Sequence, residues 1–150
     1  MEWQQVIDNP FLQDLPFKIE LNKWGKILMS PASNNHGIRQ YEVAKIIDTG
    51  KQSGKIIIEC SIKTDEGVKV ADVAWASDEF ISNYRDKTPY NIAPEICVEI
   101  ISPSNSQAEM NEKIKLYLNC GAKEVWLCNQ KGEISYYSHA GKINKSTEIN

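Results

Sequence analysis

Pro94-Glu95-Ile96-Cys97-Val98-Glu99-Ile100-Ile101-Ser102-Pro103-Ser104 is the most apolar run of the chain, and it carries a carboxylate in its middle. From Ile96 to Ile101 the residues are β-favouring and apolar at nearly every position, the pattern of a strand covered on both faces. Such a strand belongs in the centre of a sheet. Period-two alternation puts Ile96, Val98 and Ile100 on one face and Glu95, Cys97, Glu99 and Ile101 on the other. A buried, uncompensated charge loses several kcal/mol of solvation, so Glu99 has to be protonated, paired or bound to a metal ion.

Working outward, Ser102-Pro103-Ser104 ends the strand, and Ser106-Gln107-Ala108-Glu109 has capping-box spacing, which predicts a helix from about Gln107. Met110, Ile114, Tyr117 and Leu118 recur at helical spacing, and Gly121 supplies the stop. On this wheel Lys113 borders the apolar stripe and can reach back to the sheet, whereas Lys115 points to solvent. Glu124-Val125-Trp126-Leu127-Cys128 follows as a further strand, giving a strand, helix, strand unit around Glu99.

Upstream, Trp3, Val6, Ile7, Phe11 and Leu12 within residues 1–16, interrupted by Pro10, predict a short helix and turn docked on the core. Phe17–Leu21 and Lys26–Met29 read as a hairpin around Trp24-Gly25, with Glu20 near the start of the sheet. Pro31-Ala32-Ser33-Asn34-Asn35 is a capping cluster before a helix from His36 to about Lys51, whose broad apolar face holds Ile38, Tyr41, Val43, Ala44, Ile46 and Ile47. Lys55–Ile62 and Val68–Trp75, joined by Thr64-Asp65-Glu66-Gly67, read as an antiparallel hairpin. Asp72 falls late in its second strand, on a face with Val68, Val70 and Ala74. Residues 76–90 form a surface connection with a short helical turn at Phe80, Ile81 and Tyr84. Glu133–Ser138 reads as a last strand, and residues 141–150 as a polar tail that frays.

With 150 residues and 41% hydrophobic content, the expectation is one domain over 1–150. No run approaches the roughly 20 apolar residues that span a bilayer, and the N-terminus lacks signal-peptide character, so a cytoplasmic protein without membrane contact is expected. Cys60, Cys97, Cys120 and Cys128 lack C-x-x-C spacing and read as reduced thiols. The net charge is -3, and Arg39 and Arg85 are the only arginines, which gives none of the basic footprint of a strong nucleic-acid binder. A carboxylate site offset by bound divalent cations is compatible with that charge.

One Asp and one Glu on adjacent central strands, with a Lys directed at their edge, form a constellation suited to divalent-metal hydrolysis of phosphodiesters. In this order the residues resemble the PD-(D/E)XK nuclease superfamily and, within it, the Uma-two restriction-endonuclease family. The carriers are Ile19-Glu20-Leu21 before Gly25, Met29-Ser30-Pro31 with His36, Ala71-Asp72-Val73-Ala74, the run from Pro94 to Ser104, and Lys113-Ile114-Lys115-Leu116-Tyr117 leading to Gly121 and Glu124-Val125-Trp126. Ala71 stands where the superfamily signature has Pro, and Ile101 where it has Lys; in this family the lysine lies on the following helix, where Lys113 stands.

The resemblance implies an α/β, restriction-endonuclease-like fold, a mixed β-sheet flanked by α-helices, and a DNA endonuclease using Mg2+ or Mn2+. It implies Asp72 and Glu99 as metal ligands, Lys113 as a catalytic partner, and Glu20 and His36 in support. Against each stands a structural reading: Glu99 as a buried carboxylate satisfied by a neighbouring Lys or backbone amide, Lys113 as a stem snorkelling from the helix edge, Asp72 as a strand-end residue bonding a turn, Glu20 as a surface carboxylate, His36 as a helix-start residue. Glu59 and Glu95 are read as structural. A non-catalytic interaction or regulatory module on the same scaffold is the alternative function. The strand at Tyr136 and Tyr137 is read as an open edge through which a homodimer would pair.

Overall fold

In the computed structural model, which describes residues 1–149, the strand at the centre of the sequence forms as expected: β5 spans Ile96–Ile100 and is buried at every position. Its neighbours make a six-stranded sheet in the order β3-β4-β5-β6-β7-β8. These are β3 (Lys55–Thr64), β4 (Gly67–Ala76), β6 (Glu124–Cys128), β7 (Ile134–Ser138) and β8 (Gly141–Ile143). All pairs are antiparallel except β5 with β6. That parallel step requires a crossover, and α4 (Gln107–Asn119) supplies it.

The helices cover the two faces. Val43 and Ile47 of α2 (Asn34–Gly50) pack on Val73, Ile96, Val98 and Trp126. On the opposite face Met110, Ile114 and Tyr117 of α4, with Phe80 of α3 (Asp78–Tyr84), pack on Ala74, Cys97 and Val125. The result is the mixed β-sheet flanked by α-helices expected from the sequence.

A third, smaller cluster joins α1 (Trp3–Asp8) to β4 through Trp3, Val6, Val68 and Val70. Leu21 in this cluster belongs to β1 (Phe17–Leu21), which pairs with β2 (Ile27–Pro31). This hairpin is a separate two-stranded sheet, so Glu20, expected near the start of the sheet, lies outside the six-stranded one. Its end is fixed against the β3–β4 turn at Gly67, whose φ is +94° and where a Cβ would overlap the Leu21 carbonyl.

Four expectations are corrected. The apolar face of α2 is narrower than its composition suggests, since Ile38, Tyr41 and Ile46 are exposed. In α4 it is Leu116 that is buried, with Leu118 only partly so. Val68 and Val70 pack with the N-terminal segment while Ala74 packs under α4, so one alternating face does not run through Asp72. The β3–β4 pairing skips Glu59 and Asp72, and Glu59 takes φ 58° there, a left-handed conformation that breaks the regular pleat.

The tail also differs, because residues 141–143 form β8 and residues 146–147 bond the buried Glu124; Asn150 lies outside the described residues. Tyr136 and Tyr137 are consequently paired with Ile143 and Lys142, so the edge expected to receive a second subunit is occupied. All four cysteines are free thiols, and no helix of the described residues is long and apolar enough to cross a membrane.

Candidate active site

The site lies where β4 and β5 part. Their register pairs Val73 with Val98, Ala74 with Cys97 and Trp75 with Ile96, and one further step sets Asp72 opposite Glu99. The backbone ladder ends there, and the Asp72 carboxylate continues it: Oδ2 accepts the Ile100 amide at 2.7 Å. Beyond this point Val70 has β3 on one side and no strand on the other. Two side chains of β1 bond its backbone instead, Glu20 Oε2 accepting from the Val70 amide at 2.7 Å and Lys18 Nζ donating to the Val70 carbonyl at 2.9 Å. Docking of the separate hairpin is thus built from charged side chains used as a substitute strand, which is why Glu20 is buried.

The helices add the remaining partners. Ser33 caps α2 by accepting the His36 amide at 3.1 Å, which holds His36 in the first turn. From there its Nε2 lies 3.3 Å from Asp72 Oδ1. One turn on, Gln40 donates to the Asp72 carbonyl at 2.7 Å and to Glu59 Oε1 at 3.2 Å. Ser106 caps α4 by accepting the Glu109 amide at 3.1 Å, although the Glu109 carboxylate takes the Asn105 and Ser106 side chains instead of closing a capping box. On α4, Lys113 donates to Glu99 Oε1 at 2.7 Å and to Glu20 at 3.0 and 3.2 Å, and Tyr117 donates to the same Glu99 oxygen at 2.9 Å. Lys115 is exposed.

Asp72, Glu99, Lys113, Glu20 and His36, chosen from the sequence, are therefore all brought together. Lys18 was not among them. Its Nζ donates to Asp72 Oδ1 at 3.2 Å and to Glu99 Oε2 at 3.1 Å. A signal for it was present, since Lys18 and Glu20 share a face of β1 by alternation. Tyr117, read from the sequence as core, likewise follows Lys113 by one helical turn.

These contacts set the protonation states. Burial raises the Asp72 pKa, but the His36 hydrogen bond and Lys18 outweigh it and hold the carboxyl well below the usual carboxylate range. Glu20 is also lowered, with Lys113, Lys18 and the Val70 amide overcoming its burial. Burial dominates at Glu99 and, despite Lys113 and Lys18, pushes it up to about 7. Lys18 is raised well above its ordinary value because Glu99, Asp72 and Glu20 outweigh desolvation. The hydrogen bond to Asp72 raises His36 against the opposing effect of burial.

A cavity of about 570 Å3 opens over Glu20, Asp72, Glu99, Lys113, His36 and Ser102. Hard carboxylate oxygens suit Mg2+ or Mn2+, and two of them, Asp72 Oδ1 and Glu99 Oε2, already converge on one cationic group. The donor set therefore fits a divalent ion held by two carboxylates. Among the described residues no cluster of three or more His, Cys, Asp or Glu side chains is placed to ligate a metal, so water and substrate oxygens would complete such a shell.

No curated protein matches this chain. Among solved structures it is similar to the crystal structure of "a putative nuclease belonging to DUF820" from Anabaena variabilis, with a TM-score of 0.66 and 21% identity over 80% of this chain and 71% of that one. That likeness supports the fold. A family model described as "Putative restriction endonuclease" matches residues 9–149, a span that takes in the β1–β2 hairpin, the six-stranded sheet and α4, and on this match the chain belongs to the Uma2 family.

Proposed function

We propose that the protein is a nuclease, a divalent-metal-dependent endonuclease that hydrolyses phosphodiester bonds in DNA with Mg2+ or Mn2+. The observation that carries this reading is the buried pair of Asp72 and Glu99 on neighbouring strands, with Lys113 2.7 Å from Glu99 at the floor of an open cavity. The family description and the nuclease description of the Anabaena protein support it.

Each carboxylate has one oxygen engaged in holding the fold, Asp72 Oδ2 by the Ile100 amide and Glu99 Oε1 by Lys113 and Tyr117. Asp72 Oδ1 and Glu99 Oε2 are the oxygens directed at a cation, and they would hold the metal ion. When bound, that ion supplies Lewis-acid polarisation of a phosphate oxygen and a water of lowered pKa. Lys113, fixed between Glu99 and Glu20, keeps positive charge beside the place where negative charge grows on the phosphoryl oxygens. Glu20 orients Lys113, and His36 holds Asp72 ionised and in place.

A second reading, a non-catalytic module on a degenerate scaffold, is favoured by one observation: lysine ammoniums already satisfy the carboxylates. Calorimetric titration of Mg2+ and Mn2+ into wild type and Glu99→Gln, with plasmid cleavage on the same samples, separates the two. The expected result is metal binding and cleavage by wild type, both abolished in the variant. A wild-type protein that binds no metal and leaves the plasmid intact sinks the nuclease reading in favour of the module.

A further inference from the structure

Lys18 is the group of this site for which hydrolysis of a phosphodiester supplies no immediate role. Its ammonium lies 3.2 Å from Asp72 Oδ1, which His36 Nε2 also meets at 3.3 Å, and 3.1 Å from Glu99 Oε2, the oxygens of the two carboxylates that do not take the Ile100 amide, the Tyr117 hydroxyl or Lys113. A third bond, to the Val70 carbonyl at 2.9 Å, completes the donor capacity of the group. Its side chain is 11% exposed, so the contacts are shielded from competing water.

From this geometry we infer that Lys18 is a built-in counter-ion: its ammonium bridges Asp72 and Glu99 in the metal-free protein and leaves the gap when a divalent ion binds there. The inference rests on the metal-dependent reading proposed above. It also removes the objection that the carboxylates are already paired, because the pairing becomes a state of the site and not evidence of degeneracy.

Two physical arguments require displacement. Two cations sharing the same pair of oxygens would repel strongly in a site with little water, where Coulomb terms are several times larger than in bulk solvent. The charge count points the same way. Glu20, Asp72 and Glu99 face Lys18 and Lys113, with the His36 imidazole also on Asp72, so adding a doubly charged ion with both lysines retained would turn the cluster net positive.

Lys18 is the lysine able to move. Each lysine bridges two carboxylates from different elements, Lys113 joining Glu20 of β1 to Glu99 of β5 and Lys18 joining Asp72 of β4 to Glu99, but of the two cavities that meet here Lys113 lines only the one over the carboxylates. Lys18 instead stands at the junction of two cavities. It lines the carboxylate cavity and also a neighbouring one of about 690 Å3, bordered by Phe17, Glu59, Ser61, Arg85 and Tyr90. Its flexible four-carbon stem can swing the ammonium into that second space, where Glu59 offers a new acidic neighbour.

The test uses the full-length protein at pH 8, with Mn2+ alone as probe, in wild type and Lys18→Met. Methionine keeps most of the stem volume and removes the charge. In calorimetry Lys18→Met should bind Mn2+ about tenfold more tightly or better, a gain of about 1.4 kcal/mol or more. It should also melt at a lower temperature than wild type without metal and recover more of that loss when Mn2+ is added. In wild type, amine-reactive labelling read by mass spectrometry should find Lys18 protected without metal and several-fold more reactive at Mn2+ saturation, relative to the exposed Lys26.

A folded Lys18→Met protein that binds Mn2+ no more tightly than wild type overturns the inference and leaves the nuclease reading standing. So does unchanged Lys18 labelling in Mn2+-saturated wild type, which decides the matter even where the variant does not fold. Absence of Mn2+ binding in both proteins overturns both readings. Tighter binding by the variant, with no DNA cleavage by either protein, supports the counter-ion and removes the nuclease.

Discussion

Of the two carboxylate oxygens of Asp72, Oδ2 takes the Ile100 amide and Oδ1 meets Lys18 and His36. The first contact replaces a missing ladder bond, and the second faces the cavity, so structural and chemical roles are divided within one residue. His36 gives this division a pH signature. Its pKa is raised in the folded protein, chiefly by the hydrogen bond to Asp72, so its contribution to stability is fully present below the unfolded value near 6.5. That contribution is lost as pH rises through the folded value. Urea denaturation of wild type and His36→Gln at pH 5.5 and 8.5 should accordingly find the wild-type advantage at the lower pH and its decline at the higher. Equal differences at the two pH values would mean that His36 does not carry the charge described.

At the scale of elements, polar side chains complete what strands and helices leave open. Glu95 accepts from the Ser77 amide and hydroxyl, while Ser77 caps α3, so the structural reading of Glu95 holds. Glu59 contacts Gln40 and lies near enough to Asp72 for that charge, second to burial, to raise its carboxyl. The C-terminal segment shows the same principle around Glu124, which is buried on β6. It accepts from Trp126 Nε1 at 3.0 Å, Ser146 Oγ at 2.6 Å, and Thr147 N and Oγ1 at 2.7 and 2.8 Å. Hydrogen bonds to a charged group contribute about 1.5–3 kcal/mol each, and partial compensation by water reduces the loss at a chain end. Replacing Ser146 by Ala together with Thr147 by Val should therefore cost on the order of 3 kcal/mol in chemical denaturation. Amide exchange in β8 should accelerate with it, because these bonds anchor to β6 the chain that follows β8.

Across the whole molecule, the charge distribution bears on how a polyanion would approach. The net charge is -3, and of the two arginines Arg39 is engaged with Glu42 and the Gln130 carbonyl. Counter-ion release from DNA therefore provides little affinity, and the acidic cluster at the cavity floor opposes the phosphate backbone. A divalent ion held as proposed would reverse that local field. Fluorescence anisotropy with a short DNA duplex should detect weak binding in EDTA and at least tenfold tighter binding with Ca2+, an oxygen-ligated ion offering charge without the geometry Mg2+ demands. An affinity in EDTA equal to that in Ca2+ would place DNA on another surface.

The residues around Glu99 determined much of this protein by themselves. An unbroken β-favouring run can be satisfied only by a strand buried on both faces, and alternation then directs Glu99 to the side that Lys113 and Tyr117 occupy. Asp72 was legible by its late position in a strand of a recognisable hairpin. Helix caps at Ser33 and Ser106 were legible because they depend on residues three positions apart. What lay beyond reach was decided by packing between distant segments. Lys18 lies 54 residues from Asp72 and 81 from Glu99, and no local period encodes the docking of a separate hairpin onto the unpaired side of Val70. The tail read as polar and frayed because its bonds to Glu124 span more than 20 residues. Local patterns determine which face of an element is buried; only the assembled fold determines which charges meet there.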